Sequence, residues 1–245
     1  MVKKKRIYQI LRDAGLVRTK TEAVDFARQG KITVDGEVVE SLHFQINPKK
    51  KELKVNGVLV VPQDEKLYII YNKPAGVLST KQDILPRIKE LLKISEEQLN
   101  TLAPIGRLDK DTTGLLLLTS DGEFGPKILD PKHHVPKTYV ARIEKEIKEE
   151  ELEPLRKGVE IELEENGVIT KYQTKPAEVK LLAPNKLEII LHEGKKRQVK
   201  RMLSAIGHTV ISLQRVAVGS IVLGQLALGK VAVVEKDVFM KATFK

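Results

Sequence analysis

The chain has 245 residues, room for one large domain or two unequal ones, and its apolar share of 41% is enough for a sizeable core. Lys and Arg number 43 against 33 Asp and Glu, and the resulting charge of +10 calls for a polyanionic partner, nucleic acid first. The absence of Cys excludes a disulfide scaffold, a thiolate metal site and a cysteine nucleophile, and an aromatic share of 4% argues against a broad base-stacking sheet.

No segment reads as a membrane span. The uncharged run at 216–229 has 14 residues, short of the roughly 18–20 needed. The basic start, Lys3-Lys4-Lys5-Arg6, is not followed by the apolar run of a signal peptide. A cytoplasmic protein without a membrane partner is expected.

Residues 1–61 carry 13 Lys/Arg against 7 Asp/Glu, a net +6, while residues 62–245 carry a net +4. The bias predicts a small basic module ahead of a larger, nearly balanced domain. Ile7, Ile10, Leu11 and Ala14 recur at helical spacing, and Gly15 ends that helix. Thr19 or Thr21 caps a second helix, with Glu22 in its first turn, Ala23, Val24 and Ala27 on its apolar face and Gly30 at its end. Residues 32–39 read as a hairpin turning at Asp35-Gly36, and a strand at 53–55 meets another turn at Asn56-Gly57. Arg18, Lys20, Arg28 and Lys31 surround the second helix, and the first two lie at its N-terminus, where the dipole favours phosphate.

The polar stretch 62–66 is the expected linker to a domain at 67–245. That domain opens with a strand at 67–71 that runs into Asn72-Lys73-Pro74-Ala75-Gly76, a turn by composition. A helix at 84–92 follows. Further on, strands at 138–143 and 186–191 are interspersed with helices at 149–157 and 199–206. There is no regular β-α-β alternation and no glycine-rich phosphate loop, so the fold class is α+β with a mixed, mainly antiparallel sheet.

Two stretches are dense in chemistry. Gly106 to Gly114 contains Arg107, Asp109, Lys110 and Asp111 and leads into Leu115-Leu116-Leu117-Leu118, which reads as a strand buried on both faces. A charged loop before a buried strand is a natural seat for catalysis, although Asp109 and Asp111 also suit turn capping. Glu193 to Met202 places five cations in the seven residues from Lys195. Lys195, Lys196 and Arg197 read as facing RNA, whereas an inward Lys200 or Arg201 would need a carboxylate partner.

These stretches belong to longer blocks with a familiar order. RIYQILRDAGLVRTKTEAVDFARQGKITVDGEVV resembles the small RNA-binding domain of the ribosomal protein S-four type. NKPAGVLST at 72–80, GRLDKDTTGLLLLTSDG at 106–122, PKTYV at 136–140, EGKKRQVKRM at 193–202 and the tail GHTVISLQRVAVGSIVLGQLALG resemble the rRNA pseudouridine synthases, the group of RsuA, RluB, RluE and RluF. Lys200 after Gln198-Val199, and His133-His134 ahead of Lys137-Thr138-Tyr139, bring the chain nearest to the small-subunit branch, that of RsuA.

The resemblance implies isomerisation of one uridine in ribosomal RNA, more often small-subunit rRNA, by base flipping and an aspartate-dependent step. The partner would be ribosomal RNA or a ribosomal subunit precursor. No cofactor and no metal are required, and a monomer is expected. Asp109 matches the reacting carboxylate, Tyr139 the active-site tyrosine and Lys200 the cation that would pair with Asp109. By the same resemblance Arg107 contacts RNA, with the gap left by the flipped base as one place for it. Lys73 binds phosphate, and Leu213 lines the base pocket. A non-catalytic RNA-binding factor would keep the basic module without needing Asp109. A glycoside hydrolase would need a second acid matched to Asp109.

Overall fold

The computed structural model describes residues 4–17, 19–47, 50–61, 66–165 and 167–243. Arg18 and most of the expected linker lie outside the described residues. The chain divides into two compact units, the first comprising Met1–Leu67, Thr80–Ala103 and Thr119–Asp121, and the second the remainder.

In the first unit, helix Ile7–Asp13 buries Ile7, Ile10 and Leu11, and the chain leaves it through Gly15 at φ 70°. Thr19 caps helix Lys20–Arg28 by accepting from the Glu22 amide at 3.2 Å. Asp35 and Gly36 both have positive φ, as do Asn56 and Gly57. These are the conformations that tight two-residue hairpin turns require, and short Asn/Asp-Gly pairs adopt them most readily. The first pair joins Ile32–Val34 to Glu37–Val38 and the second joins Leu53–Val55 to Val58–Val60.

The sheet does not end there. Leu92–Lys93 lies parallel to Val58–Val60, with Leu59 opposite Leu92. Helix Lys81–Leu91, capped by Thr80, delivers that fifth strand. Part of the later sequence therefore completes the first sheet.

The second unit is built on a nine-stranded sheet. Its main path runs Glu178–Ala183, Lys186–Leu191, Lys137–Ile143, Val210–Val218, Thr113–Thr119, Tyr68–Lys73, Val231–Val233. Most neighbours are antiparallel, but Thr113–Thr119 and Val210–Val218 run parallel, with Gly114 opposite Arg215. Leu115 to Leu118 are each at most 1% exposed, as four leucines between turn signals predict.

One helix, expected at 149–157, splits into a 3-10 turn, Glu149–Leu152, and helix Glu153–Lys157, with Pro154 at its start. The strand expected at 67–71 continues through Asn72 and Lys73, so the turn begins only at Pro74. An isolated hairpin, Glu160–Glu165 with Val168–Gln173, and the length of Val210–Val218 were not legible from the pattern.

Candidate active site

The loop carrying Asp109 is held by a block thirty residues earlier. Ser79 Oγ accepts from the Leu108 amide and donates to the Leu108 carbonyl, both at 2.9 Å. The Gly76 amide donates to the Lys110 carbonyl at 2.7 Å. Lys73 is fully buried, and its ammonium donates to the carbonyls of Pro74 at 2.9 Å, Val77 at 2.8 Å and Lys110 at 3.5 Å. The expectation that Lys73 binds RNA phosphate is corrected here. All three ammonium protons point at backbone oxygens, so none is left for a ligand.

Burial pushes the Lys73 amine down to about 8, against smaller opposing contributions from Asp111 and Asp109. An unfolded lysine keeps its proton to about 10.4. Between those values the unfolded chain binds more protons, so this group favours folding more strongly as pH rises from 8 towards 10.4. In melting experiments over pH 7–10, the stability advantage of wild type over Lys73→Met should grow through that window. A difference flat in pH would show that the amine is not buried as described.

Asp109 opens onto a cavity of about 420 Å³, within the usual range of about 300–1,000 Å³ for ligand sites. Tyr139, from strand Lys137–Ile143, and Leu213, from strand Val210–Val218, line it, as do Arg107, Lys195, Lys196 and Arg197. Six of the described lining residues are cations, Lys137 and Arg215 being the other two, and Asp109 is the lone carboxylate among them.

Lys200 does not take the place expected of it. Its ammonium pairs with Asp111 at 2.5 Å rather than with Asp109. The turn closed by the Thr112 amide on the Asp109 carbonyl, at 3.1 Å, separates the two acids. Asp109 is half-buried at the cavity and Asp111 is exposed beside helix Gln198–Ala205. The hydrogen bond from Lys200 holds the Asp111 carboxyl below its ordinary range. Lys200 thus ties the loop to the helix.

Two cavity cations escaped the sequence reading. Arg215 is 5% exposed, and its Nε donates to the Leu115 carbonyl at 2.8 Å. Lys137 is half-buried and donates to the Val135 carbonyl at 2.9 Å. Burial first, and the charge of Arg215 second, lower the Lys137 amine. Leu213 and Ala217, two residues to either side of Arg215 on the same face of the strand, were the available signal for the first, because an arginine alternating with apolar residues is turned towards the core.

The turn at 193–198 is fixed by Glu193, which accepts from Tyr172 Oη at 2.6 Å, Gln198 Nε2 at 2.6 Å and the Lys175 amide at 2.9 Å. That bond is the main reason the Tyr172 hydroxyl is pushed up to about 12. Lys195 Nζ sits 4.6 Å from the centroid of the Tyr172 ring, and Arg197 adopts a left-handed φ of 57° where the helix begins. His133 and His134 hold no metal-like arrangement, and among the described residues no group of three His, Asp or Glu does.

In the first unit, Lys20 and Arg28 are exposed at the two ends of helix Lys20–Arg28. Lys31 follows, its ammonium 5.5 Å from the centroid of the Phe26 ring.

Comparison with known proteins agrees with this architecture. Residues 67–205 match the RNA pseudouridylate synthase family and residues 5–51 match the S4 domain. The chain belongs to the RNA pseudouridylate synthase family, and is an isomerase with an N-terminal S4 RNA-binding domain. It is 39% identical over 232 residues to an uncharacterized RNA pseudouridine synthase of Aquifex aeolicus, covering 92% of this chain and 88% of that one. It is 38% identical to the ribosomal large subunit pseudouridine synthase B of Bacillus subtilis, covering 86% and 84% of the two chains. It is 36% identical to the ribosomal small subunit pseudouridine synthase A of Escherichia coli strain K12, covering 83% and 85%. A solved pseudouridylate synthase superposes with a TM-score of 0.64 at 30% identity, over 97% of this chain and 99% of that one. No helix among the described residues is long and apolar enough to cross a membrane.

Proposed function

We propose that this enzyme converts a uridine of ribosomal RNA to pseudouridine, with the base flipped into the cavity lined by Asp109. The observation that carries the reading is one carboxylate facing six cations in a single cavity. The cations suit the phosphates around a flipped nucleotide, and the lone acid suits the reacting centre. The isomerisation breaks the ribose bond to N1, rotates the uracil and joins C5 to the ribose. The proton lost from C5 is balanced by one gained at N1, so the reaction is redox-neutral and takes no group donor. Asp109 supplies the carboxylate, which can act as a nucleophile.

The Tyr139 ring stacks on the uracil and Leu213 packs against it. Flipping costs a few kcal/mol, and the planar guanidinium of Arg107 offsets part of this by filling the vacated place in the stack. Lys195, Lys196 and Arg197 hold neighbouring phosphates. Lys20, Arg28 and Lys31 dock the S4 domain on structured RNA through its backbone, which positions the enzyme without reading sequence. Lys200, in this proposal, acts by keeping the Asp109 loop in place through Asp111. The protein works as a cytoplasmic monomer on rRNA or a subunit precursor.

Small-subunit rRNA is the preferred target. Lys200 and the His133-His134 pair support it, whereas the relatives named for the two subunits, at 38% and 36% identity, do not choose between them. The test is to incubate the protein with both rRNA transcripts and map pseudouridine by carbodiimide-blocked primer extension. A new stop in the small-subunit transcript is expected. A stop only in the large-subunit transcript would reassign the target, and none in either would defeat the rRNA reading. A variant with Lys20, Arg28 and Lys31 all changed to Gln should bind either RNA more weakly and with a shallower salt dependence.

A further inference from the structure

A second groove, of about 360 Å³, runs along helix Gln198–Ala205 and is lined by Arg197, Lys200, Arg201, Ser204, His208, Thr209 and Val210. Three of these are cations, and no lining residue among those described is acidic. Lys200 is neutralised by Asp111, which leaves Arg197 and Arg201 in excess.

Two polar atoms of its lining residues are buried and have no hydrogen-bond partner, Arg201 Nη1 and His208 Nδ1. His208 is 7% exposed, and its other ring nitrogen lies 3.6 Å from Glu151 Oε1. A buried guanidinium N–H left without an acceptor costs free energy, and a native protein keeps few of them without cause. An anionic oxygen in the groove would accept from guanidinium N–H groups and from the Ser204 hydroxyl. Arg201 also borders the neighbouring groove that contains Glu160, Glu162 and Glu164, yet its Nη1 remains unpaired there.

The groove is not remote from the chemistry. Arg197 lines both it and the Asp109 cavity, and Lys200 links it to the loop that carries Asp109. An RNA strand whose base enters the cavity would carry its next phosphates past Arg197.

We propose that this groove is a phosphate subsite. In it Arg197, Arg201 and Ser204 hold a backbone phosphodiester of the substrate RNA adjoining the nucleotide whose base enters the cavity. The proposal rests on the reading of the enzyme as acting on RNA and adds a second anchoring point on the catalytic unit. Single phosphate contacts of this kind carry no sequence information and make binding depend on salt.

The test uses the full chain and the two rRNA transcripts. Ser204 is exposed, so Ser204→Asp places a negative charge in the groove with little demand on packing. Ser204→Asp should weaken RNA binding by about tenfold at moderate salt. Arg201→Gln should lower the slope of log affinity against log salt by about 1, and Arg201→Lys should restore most of it. In turnover, the loss should fall on KM more than on kcat. If Ser204→Asp binds as wild type does and Arg201→Gln keeps the full slope, the subsite does not exist. A loss confined to kcat, with binding and slope intact, would equally overturn it. Pseudouridine mapping with the wild type is scored separately. A wild type that forms no pseudouridine but shows the Ser204 and Arg201 effects keeps the subsite and loses the rRNA assignment.

Discussion

Asp109→Asn should abolish pseudouridine formation, by at least about a thousandfold, while leaving the melting temperature close to that of wild type. Asparagine has the shape of aspartate, and the loop is held from outside by Ser79, Gly76 and Lys73, so the change removes a charge, and on the proposed reading the reacting carboxylate, rather than a support. The companion change, Asp111→Asn, separates the two acids of the loop. Asp111 is exposed and its partner is Lys200, so its loss should loosen the loop and cost on the order of tenfold in rate, about 1.4 kcal/mol. Primer extension on the modified transcript under single-turnover conditions measures both. If Asp111→Asn were dead and Asp109→Asn active, the two roles would be exchanged.

The second large effect is on stability. Gly114 has φ 103°, and a Cβ built there would lie 2.2 Å from the Arg215 carbonyl oxygen and 2.8 Å from the Arg215 nitrogen. Both obstacles are backbone atoms of the parallel neighbour strand, so neither can swing aside. Gly114→Ala should destabilise the protein by about 3 kcal/mol or more, a fall in melting temperature of about 6–12 °C for a chain of this size. Parting the strands at this point also displaces Arg215, whose Nε reaches across to the Leu115 carbonyl, and with it one wall of the cavity. Gly122→Ala is the control. Its Cβ would meet nothing within 4 Å and its φ is ordinary, so a change within about 0.5 kcal/mol is expected. Equal melting temperatures for the two variants would show that the strands at 113–119 and 210–218 are not packed as described.

Much of the local structure was legible. Gly15, Gly30, Asp35-Gly36 and Asn56-Gly57 punctuate the first unit because positive φ is scarce outside Gly, Asn and Asp, so composition alone marks where the chain turns. Leu115 to Leu118 announced a strand without a wet face. The blocks around Asp109, Tyr139, Lys195 to Arg197 and Leu213 were visible separately, and the fold brings them to one cavity.

The failures share a different character. Asn72-Lys73-Pro74 looks like a solvated turn, and nothing local says that the ammonium of Lys73 will be enclosed by carbonyls of its own turn and of a loop 37 residues on. Asp109 and Asp111 are two residues apart, so sequence offers Lys200 either partner. Only the direction of the turn assigns it Asp111. Leu92–Lys93 joins the first sheet by a parallel pairing, which leaves no hairpin signal in the chain.

The sequence by itself determined the two helices and the hairpin turns of the first sixty residues and the charge bias, because those follow from backbone sterics and residue chemistry close by in the chain, whereas Asp109 was told from Asp111 only by its place in the family's motif. The tertiary structure alone decided which cation faces which carboxylate, which lysine is buried, that Arg215 lines the cavity and that Gly114 must lack a side chain. Each of those depends on two segments meeting at a definite register, and register is set by the packing of the whole sheet rather than by any one stretch of it.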